Sequence, residues 1–370
     1  MKITCVIHSL NGGGAERVMA GLSGRLQAKG HAVTLITLDD GRSDRHEVDS
    51  RVTRRPLAVM RHSRSRLAAL VNGFRRVTAV RKAIRDSKPD VVLSFCDSTN
   101  VLTLLATRWL KLPVVVSERS DPEKQSLSWP WSRLRPTLYR RADQVIVLTR
   151  TAADAIASWC QKPALIIPSA VDRPPTTQPQ KNHHSVDRVL LAVGRLEHEK
   201  GFDRLIEAFA NVAGHFPAWR LRIVGEGSCR EQLERQANEL EVSNRIDFDG
   251  WMRPIWPAFA NADLFALTSR YEGFPSALLE AMAAGIAVIA VDCESGPRAI
   301  IQNGIDGLLV EDNIKSIVAA LQRCMGDESL RNRLGEAGRT VYERFGWDAM
   351  VDSYEKCLLN VVEIRVGDSL

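Results

Sequence analysis

The chain has 370 residues, which is too many for one ordinary hydrophobic core and suits two domains of roughly 150 to 200 residues each. Its hydrophobic content of 45% and charged content of 25% are typical of a water-soluble globular protein, and no apolar run reaches the ~18 residues of a membrane span. The seven cysteines are odd in number, scattered and never spaced Cys-x-x-Cys, so they predict a reducing, cytoplasmic compartment and no zinc site.

Strand-like and helix-like segments alternate along the first half of the chain. Short apolar runs predict strands at residues 3–7, 33–38, 91–95, 114–116 and 144–148. Amphipathic stretches predict helices at residues 15–28, 66–84, 101–109, 131–140 and 152–159. This alternation predicts a parallel sheet covered by helices, in a first domain that spans residues 1–172.

A glycine-rich turn, Gly12-Gly13-Gly14, follows the first predicted strand and precedes the first predicted helix. Such a turn brings backbone N–H groups close to a phosphate at the start of a helix. A dinucleotide fingerprint would have glycine or alanine at position 17, where Arg17 stands. We therefore predict that Gly13 and Gly14 admit the sugar or diphosphate of a ligand, with a purely structural tight turn as the alternative.

Polar side chains follow two other strands of the first domain. Asp97 and Asn100 come after the strand at 91–95, and Glu118 and Arg119 come after the strand at 114–116. Because ligands bind outside the carboxyl ends of the strands in such sheets, we predict that all four contact a ligand. For Asp97, a role as a helix cap is the alternative.

The first half of the chain also carries the positive charge. Residues 1–175 contain 29 lysines and arginines against 15 acidic residues, a net charge of +14, whereas residues 176–370 contain 21 against 29, a net charge of −8. The segment 51–88 has twelve cations and one acid, with apolar residues mostly at three- and four-residue spacings. It predicts a basic amphipathic helix on an anionic membrane surface, with a solvated helix packed on its sheet as the alternative. Such charge also allows nucleic acid as a partner, but we predict the membrane surface and no nucleic acid. Four of its cations are the predicted contacts, namely Arg75, Arg76, Arg81 and Lys82.

A proline-rich polar stretch separates the two halves of the chain, and residues 173–187 are the predicted linker. A second alternation predicts strands at residues 189–193, 221–224, 246–248, 264–267, 287–291 and 307–310. The second domain is therefore predicted at residues 188–345, and the tail from residue 327 to about residue 362 is predicted to be helical.

Two cations five residues apart follow the first strand of the second domain. Arg195 has a planar guanidinium and Lys200 a point charge, a combination suited to binding a diphosphate. A surface salt-bridge loop is the alternative, because Glu197 and Glu199 lie between the two cations. Gly225 ends the strand at 221–224 and is predicted to bring backbone close to a bound nucleotide.

The segment 272–280, Glu-Gly-Phe-Pro-Ser-Ala-Leu-Leu-Glu, places a carboxylate on a turn, begins a helix, and places a second carboxylate about one helical turn inside it. Gly273 lets backbone approach closely, and Pro275 and Ser276 suit a helix start, whose N–H groups and dipole attract phosphate. Carboxylates repel phosphate but accept hydrogen bonds from hydroxyls. We therefore predict a nucleotide-sugar ligand, with Glu272 on the sugar and Glu280 on the ribose.

These motifs resemble a known family. Gly-Arg-Leu-x3-Lys-Gly at 194–201, followed by Glu-Gly-Phe-Pro-x4-Glu at 272–280, is similar to the retaining, nucleotide-sugar-dependent glycosyltransferases of family 4. The likeness extends to the segments at 10–17, 94–100, 117–120 and 306–310. The segments at 10–17 and 94–100 resemble bacterial enzymes that extend undecaprenyl-diphosphate-linked oligosaccharides, such as the processive N-acetylgalactosamine transferase of N-glycan assembly, and those of exopolysaccharide assembly.

The resemblance implies a GT-B fold of class α/β, in which two Rossmann-like domains with parallel sheets face each other across a cleft. It also implies that the last helix, about residues 346–370, returns to the first domain. The implied reaction is a retaining transfer of an N-acetylhexosamine or hexose from a UDP-sugar to a polyprenyl-diphosphate-linked glycan, on the inner face of the cell membrane. Arg195 and Lys200 would stabilise the departing diphosphate, and Glu272 would orient the sugar with the N–H groups of Gly273 and Phe274.

The same resemblance implies no metal and no other cofactor, because cations and a helix dipole take the place of the metal. Asp247 and Asp249 match the Asp-x-Asp of metal-dependent transferases, but strand alternation places both on one outward face, so we predict no metal there. A histidine is common in the family where Arg119 stands, and Arg119 would instead bind the acceptor diphosphate. Three other functions stay open: a nucleotide-sugar epimerase, a nicotinamide-dependent oxidoreductase, which Arg17 argues against, and a non-catalytic basic membrane adaptor.

Overall fold

The computed structural model describes residues 1–60, 65–125, 131–175 and 187–367. The chain forms two compact units, one of Met1–Ser169 with Asp348–Leu370, the other of Ala170–Trp347. The predicted linker begins inside the second unit, and its residues 176–186 lie outside the described residues, as do Arg61 and Arg64 of the predicted basic segment. Within the described residues, no helix combines the length and the apolar content that crossing a bilayer requires.

The first unit contains a seven-stranded sheet among its described residues, and every pairing in it is parallel. The strand order is β3-β2-β1-β4-β5-β6-β7, so the chain adds strands toward one edge of the sheet up to β3 and toward the other edge from β4 onward. The strand order therefore reverses between β1 and β4. The strands β1 and β4 consist almost entirely of buried residues, as expected for a parallel sheet with helices on both faces. Its strands are β1 Lys2–Ile7, β2 Ala32–Thr37, β3 Thr53–Pro56, β4 Val91–Phe95, β5 Val114–Ser117, β6 Gln144–Val147 and β7 Leu165–Ile166.

Helices connect these strands, so the βα alternation predicted for this part is confirmed. They are α1 Gly14–Ala28, α2 Arg66–Ser87, α3 Asp97–Ala106, α4 Trp131–Tyr139 and α5 Arg150–Ala155. The main difference from prediction is α3, which begins four residues before the predicted position 101. Cys96, with φ +72°, turns the chain directly from β4 into this helix.

The second unit repeats this design with a six-stranded parallel sheet in the order β10-β9-β8-β11-β12-β13. Its strands are β8 Arg188–Val193, β9 Trp219–Val224, β10 Ile246–Gly250, β11 Leu264–Leu267, β12 Ala287–Val291 and β13 Leu308–Val310. Here the strand order reverses between β8 and β11. Its helices are α6 Phe202–Ala213, α7 Arg230–Glu239, α8 Trp256–Ala260, α9 Ser276–Ala283, α10 Gly296–Ile300, α11 Ile314–Gly326, α12 Glu328–Gly338 and α13 Val341–Arg344.

The last helix, α14 Trp347–Gly367, belongs to the first unit from Asp348 onward. Tyr354 of this helix is fully buried, and its hydroxyl lies 3.0 Å from the Ser117 hydroxyl at the end of β5. At the surface, Glu355 pairs with Lys29 at 2.6 Å and with His31 at 2.8 Å. The chain therefore completes its first unit only after it has passed through the second.

Candidate functional site

The loops that follow β8 and β11 meet in the second unit, at the point where the strand order reverses. Ligands bind at such a reversal in open α/β sheets. Lys200 comes from the first loop and Glu272 from the second, and the Lys200 Nζ lies 2.7 Å from the Glu272 Oε1. Ser269 donates a hydrogen bond of 2.6 Å to the same carboxylate oxygen. Because the two side chains are only 21% and 8% exposed, this ion pair is mostly shielded from water.

Backbone bonds join these two loops around Gly201. Gly201 has φ +64°, and a Cβ at this position would lie 2.1 Å from the Thr268 carbonyl oxygen, so a side chain does not fit. The Thr268 hydroxyl donates to the Gly201 carbonyl at 2.9 Å, and the Arg270 N–H donates to the Glu199 carbonyl at 2.8 Å. The loops therefore hold Lys200 against Glu272 through main-chain contacts.

Arg195, the other residue predicted to bind the diphosphate, lies on the surface. The Arg195 side chain is 67% exposed and donates to Glu199 at 2.9 Å, which is the surface ion pair that the sequence offered as the alternative. Such a pair contributes only about 0–1 kcal/mol, so separating the two side chains costs little. Glu197 instead accepts hydrogen bonds from the Ser228 hydroxyl and N–H, which lower its pKa, and it holds the loop in place.

Gly225 lies where the loops after β8 and β9 touch. Its φ of +152° and the position of its Cβ, which would be 1.8 Å from the Gly194 carbonyl oxygen, both require glycine. Gly227 has a similar contact, because its Cβ would lie 2.4 Å from the Leu196 carbonyl oxygen. Gly225 thus sets the path of the loop that begins at Gly194 and carries Arg195.

The segment 272–280 begins a helix as predicted, with α9 starting at Ser276 and Pro275 at its N-cap. Gly296 of α10 packs against this turn, because its Cβ would lie 2.6 Å from the Pro275 Cδ and 2.9 Å from the Gly273 carbonyl oxygen. Phe274 is buried and packs edge-on against Phe345, with ring centroids 5.3 Å apart. The backbone of Gly273 and Phe274 is therefore fixed at the start of α9.

Glu280 lies about one turn inside α9 and is 8% exposed. The sequence did not predict its partner, Arg253, whose guanidinium is 3.9 Å from the Glu280 carboxylate. Asp247 and Asp249, on β10, pair across strands with Arg220 and Arg222 of β9. Among residues 1–60, 65–125, 131–175 and 187–367, no group of three histidine, cysteine or acidic side chains is arranged to hold a metal.

In the first unit, Asn100 and Glu118 are buried and bonded to their neighbours. The Asn100 amide donates to the Ser117 carbonyl at 3.0 Å and to the Tyr139 hydroxyl at 3.2 Å. Glu118 accepts from Arg135 at 2.6 Å and from Tyr139 at 2.7 Å, and its side chain is 0% exposed. Glu118 has no exposed side-chain surface, whereas the Asn100 Oδ1 is buried and has no hydrogen-bond partner among the described residues. Both residues follow strands as predicted, Asn100 in α3 after β4 and Glu118 directly after β5, and their contact with a ligand stays a prediction.

Asp97 lies differently, at the start of α3 beside the reversal between β1 and β4. It is 8% exposed, its Oδ1 accepts from the Ser98 N–H, and its Oδ2 has no hydrogen-bond partner among the described residues. Burial and the nearby charge of Glu118 raise the pKa of Asp97. A buried carboxylate oxygen without a donor suits a ligand hydroxyl or amide.

The sequence analysis missed His8, which follows β1 directly at the same strand edge. Its Nε2 lies 3.1 Å from the Glu16 Oε1. Burial alone would raise the pKa of Glu16, but the hydrogen bond and charge of His8 lower it overall. The signal in the sequence was the position of His8, one residue after the strand and shortly before the glycine-rich turn.

The glycine-rich turn begins α1, with Gly13 at its N-cap and Gly14 as its first residue. A Cβ on Gly13 would lie 2.2 Å from the Glu16 carboxylate, so a side chain here would displace that carboxylate. The carboxylate opposes an anion at this turn and favours a hydroxyl-bearing group.

The other residues predicted to bind the acceptor differ in the exposure of their side chains. Arg119 lies over the Phe95 ring at 4.7 Å and donates to the Ser169 hydroxyl at 2.6 Å. On α2, Arg76 donates to the Val59 carbonyl and Arg81 to the Ala106 carbonyl, so both are partly committed to the fold. The members of the predicted set that are exposed are Arg75 and Lys82.

The chain is similar to known proteins. The family described as "Glycosyltransferase Family 4" matches residues 12–173, and "Glycosyl transferases group 1" matches residues 175–341. A Campylobacter jejuni relative, "GalNAc-alpha-(1->4)-GalNAc-alpha-(1->3)-diNAcBac-PP-undecaprenol alpha-1,4-N-acetyl-D-galactosaminyltransferase", is 28% identical over 90% of this chain and 91% of its own. The lipopolysaccharide core biosynthesis glycosyltransferase LpsE of Rhizobium meliloti is 28% identical over 97% and 99% of the two chains.

Two solved structures have the same fold. Sucrose-phosphate synthase from Thermosynechococcus elongatus superimposes with a TM-score of 0.84 at 19% identity, covering 98% of this chain and 99% of its own. Anabaena HepE, in complex with UDP and glucose, superimposes with a TM-score of 0.79 at 20% identity, covering 97% and 99%. These likenesses confirm the predicted α/β, GT-B fold class with two Rossmann-like halves.

Proposed function

Because two glycosyltransferase family patterns together span residues 12–341, the chain belongs to the glycosyltransferases, and we propose that it transfers a sugar from a UDP-sugar to a polyprenyl-diphosphate-linked glycan with retention of configuration. The name of the C. jejuni relative supports this choice of acceptor, and the UDP bound to Anabaena HepE supports this choice of donor. The sugar is proposed to be an N-acetylhexosamine or a hexose.

The observation that carries this proposal is the contact between Lys200 and Glu272. The bond that breaks in a nucleotide sugar joins a hydroxyl-bearing ring to an anionic diphosphate. A carboxylate and an ammonium only 2.7 Å apart match the two sides of that bond. Glu272 accepts hydrogen bonds from sugar hydroxyls, while Lys200 neutralises charge that grows on the leaving phosphate. The site thus favours the separating ion pair over the intact donor.

Arg195 and the start of α9 complete the proposed donor site. Arg195 leaves its weak surface pair with Glu199 and binds the diphosphate, to which the N–H groups of Gly273 and Phe274 also donate. Glu280 accepts hydrogen bonds from the ribose hydroxyls. Cations and N–H groups supply the positive charge, so no metal or other cofactor is required.

In the proposed reaction, the acceptor hydroxyl attacks the anomeric carbon from the face that the diphosphate leaves. The new bond joins the acceptor oxygen to that carbon, the bond between the carbon and the phosphate oxygen breaks, and the hydroxyl proton moves to the departing phosphate. UDP is released. Asp97 holds a hydroxyl or amide of the acceptor through its Oδ2, and Arg119 binds the acceptor diphosphate. No protein nucleophile is needed for this step.

We place the reaction on the inner face of the cell membrane. All seven cysteines of the chain are free thiols, which supports a reducing compartment. The proposed acceptor is anchored in the bilayer by its polyprenyl chain. The enzyme would therefore work as a peripheral membrane protein.

The test incubates the protein with UDP- and GDP-sugars, alone and with a short-chain polyprenyl-diphosphate glycan. We expect slow hydrolysis of one UDP-sugar without acceptor, and rapid UDP release together with an elongated glycan when the acceptor is present. Proton NMR of the product then reports the anomeric configuration, and an inverted product would refute retention. Formation of an epimerised nucleotide sugar without acceptor would instead establish an epimerase.

A further inference from the structure

The first half of α2 presents large apolar side chains to solvent. Leu70, Val71 and Phe74 are 70%, 66% and 73% exposed, whereas Val80 and Ile84, farther along the helix, are fully buried. The predicted apolar stripe therefore divides, since only its later part packs on the sheet. Single exposed apolar residues are ordinary on a protein surface, but three adjacent ones on one helix face indicate a binding surface.

The second half of the same helix face is basic and lies beside an exposed tryptophan, Trp109, which follows α3. At 100° per residue, Arg81 and Arg85 each lie within about 20° of Phe74 around the helix. Trp109 is 71% exposed, and the Arg81 guanidinium lies 4.7 Å from its ring centroid. Arg108 lies 5.4 Å from the same ring.

Beside this tryptophan is an open pocket of about 290 Å³. The pocket is lined by Arg85, Lys88, Pro89, Trp109, Leu110, Lys111 and Leu112. Two acidic residues lie near its cations in sequence. Asp86 is exposed, and Asp90 accepts a hydrogen bond of 2.6 Å from the Lys2 N–H. The described residues that line the pocket thus provide cations and an exposed indole but no carboxylate. This combination suits an anionic ligand at a water–lipid boundary.

The direction of α2 relates this surface to the candidate site. The helix follows β3 and precedes β4, so its start lies toward the carboxyl edge of the sheet and its end toward the amino edge. Leu70 and Arg85 are about 22 Å apart along the helix. The apolar end therefore lies toward the strand edge that carries Asp97, and the pocket lies toward the opposite edge.

We propose that this face of α2, together with the Trp109 pocket, docks the protein on an anionic bilayer. Leu70, Val71 and Phe74 enter the acyl region, while the cations of the pocket bind lipid phosphates and Trp109 lies at the headgroup level. A second copy of the chain is a poor occupant, because the basic ends would repel each other. The inference deepens the proposed function, since it brings the edge with Asp97 to the bilayer from which a polyprenyl diphosphate emerges.

The test measures binding of the full chain to vesicles of phosphatidylglycerol and phosphatidylethanolamine, with phosphatidylcholine vesicles for comparison. We expect binding to the anionic vesicles only. Serine at all three positions 70, 71 and 74 should raise the lipid concentration for half-binding by on the order of tenfold, at low and high salt alike. Glutamine at Arg85, Lys88 and Lys111 should raise it by on the order of a hundredfold at low salt and little at high salt, because salt screens that contribution.

Two exposed residues of the second unit supply matched controls. Ile305→Ser changes an apolar side chain that is 59% exposed, and Arg235→Gln changes a side chain that is 66% exposed. Neither should alter binding, and all variants should unfold at the wild-type temperature. Equal loss in the controls, or wild-type binding by both triple variants, would overturn the docking face. Tighter binding to duplex DNA than to anionic vesicles would also overturn it.

Vesicle binding is measured without donor or acceptor, so it is independent of the proposed reaction. Both triple variants should keep wild-type rates on a water-soluble acceptor that lacks the polyprenyl chain. If they bind vesicles poorly but retain that activity, docking is established separately from catalysis. An inactive wild-type protein that still binds vesicles would refute the proposed function and leave the docking surface standing.

Discussion

Lys200→Ala should separate the structural role of this lysine from its catalytic role. The mutation leaves the Glu272 carboxylate, 8% exposed, without its ammonium partner at 2.7 Å. Breaking a fully buried ion pair costs about 3–5 kcal/mol. Because Lys200 is 21% exposed and Ser269 still donates to Glu272, we expect a loss of about 1–3 kcal/mol in the free energy of unfolding.

The expected effect on turnover is larger. Removing one donor to charge that develops in a transition state typically lowers turnover by about 100- to 1000-fold, or ~2.7–4 kcal/mol. The double variant Lys200→Gln with Glu272→Gln replaces two charges by two amides, so it should recover most of the stability but none of the turnover. Denaturant unfolding measures the first quantity, and the initial rate of UDP release measures the second.

Two results would contradict this reasoning. Turnover of Lys200→Ala within about threefold of wild type would remove Lys200 from the departing diphosphate. Recovery of turnover in the double variant would mean that the single variant fails only because it leaves an unpaired carboxylate. Arg235→Gln is the control, because Arg235 lies at an exposed position in the middle of α7. This variant should change neither stability nor turnover.

Glu280→Gln should raise the KM for the donor about tenfold with little change in kcat, because a ribose contact is equally present in the ground and transition states. Gly225→Ala should weaken donor binding and cost roughly 1–3 kcal/mol of stability, since its Cβ would lie 1.8 Å from the Gly194 carbonyl oxygen at φ +152°. Asp97→Asn should lower activity with the acceptor but raise the melting temperature at neutral pH by on the order of 1–3 °C.

The sign of the last effect follows from linkage. Burial and Glu118 raise the pKa of Asp97, so the folded protein holds this proton at pH values where the unfolded chain has lost it. Stability therefore falls as pH rises from the unfolded value, about 3.9, through the folded value. Asparagine removes this loss, so the gain should vanish at pH below about 3.9. Melting curves between pH 3 and pH 8 check this, and a destabilised variant at neutral pH would refute it.

For Glu280→Gln, a fall in kcat equal to the rise in KM would place this residue at the reacting centre instead. For Gly225→Ala, unchanged donor binding measured by calorimetry would show that the path of the Arg195 loop does not matter to the ligand. Gly214→Ala is the matched control, because no atom lies within 4 Å of the Cβ that it would add.

The predicted strands match the observed ones closely wherever they are buried apolar runs. The two edge strands β3 and β7 were missed for physical reasons. The strand β3 reads Thr-Arg-Arg-Pro, because charge and proline protect an edge from further pairing, and β7 has only two residues. The helical tail was predicted as continuous, yet it breaks before Trp347, where the chain passes between units.

The candidate site was predictable as far as it follows from motifs at strand ends. Local sequence placed Lys200 and Glu272 on loops after strands, but their direct contact depends on β8 lying beside β11, which no local pattern specifies. In the same way, Glu118 looked available because Arg135, its partner, is 17 residues away in sequence and lies on α4.

The return of α14 to the first unit has a consequence for synthesis on the ribosome. The second unit has all of its residues once Trp347 has been added, whereas the first still lacks α14. Tyr354, which is fully buried, packs against Phe95 with ring centroids 5.9 Å apart, so this helix fills a core formed by residues translated long before. The amino-terminal unit is therefore the last to finish folding, and a nonsense codon near position 347 would yield a folded middle unit attached to an unfinished one.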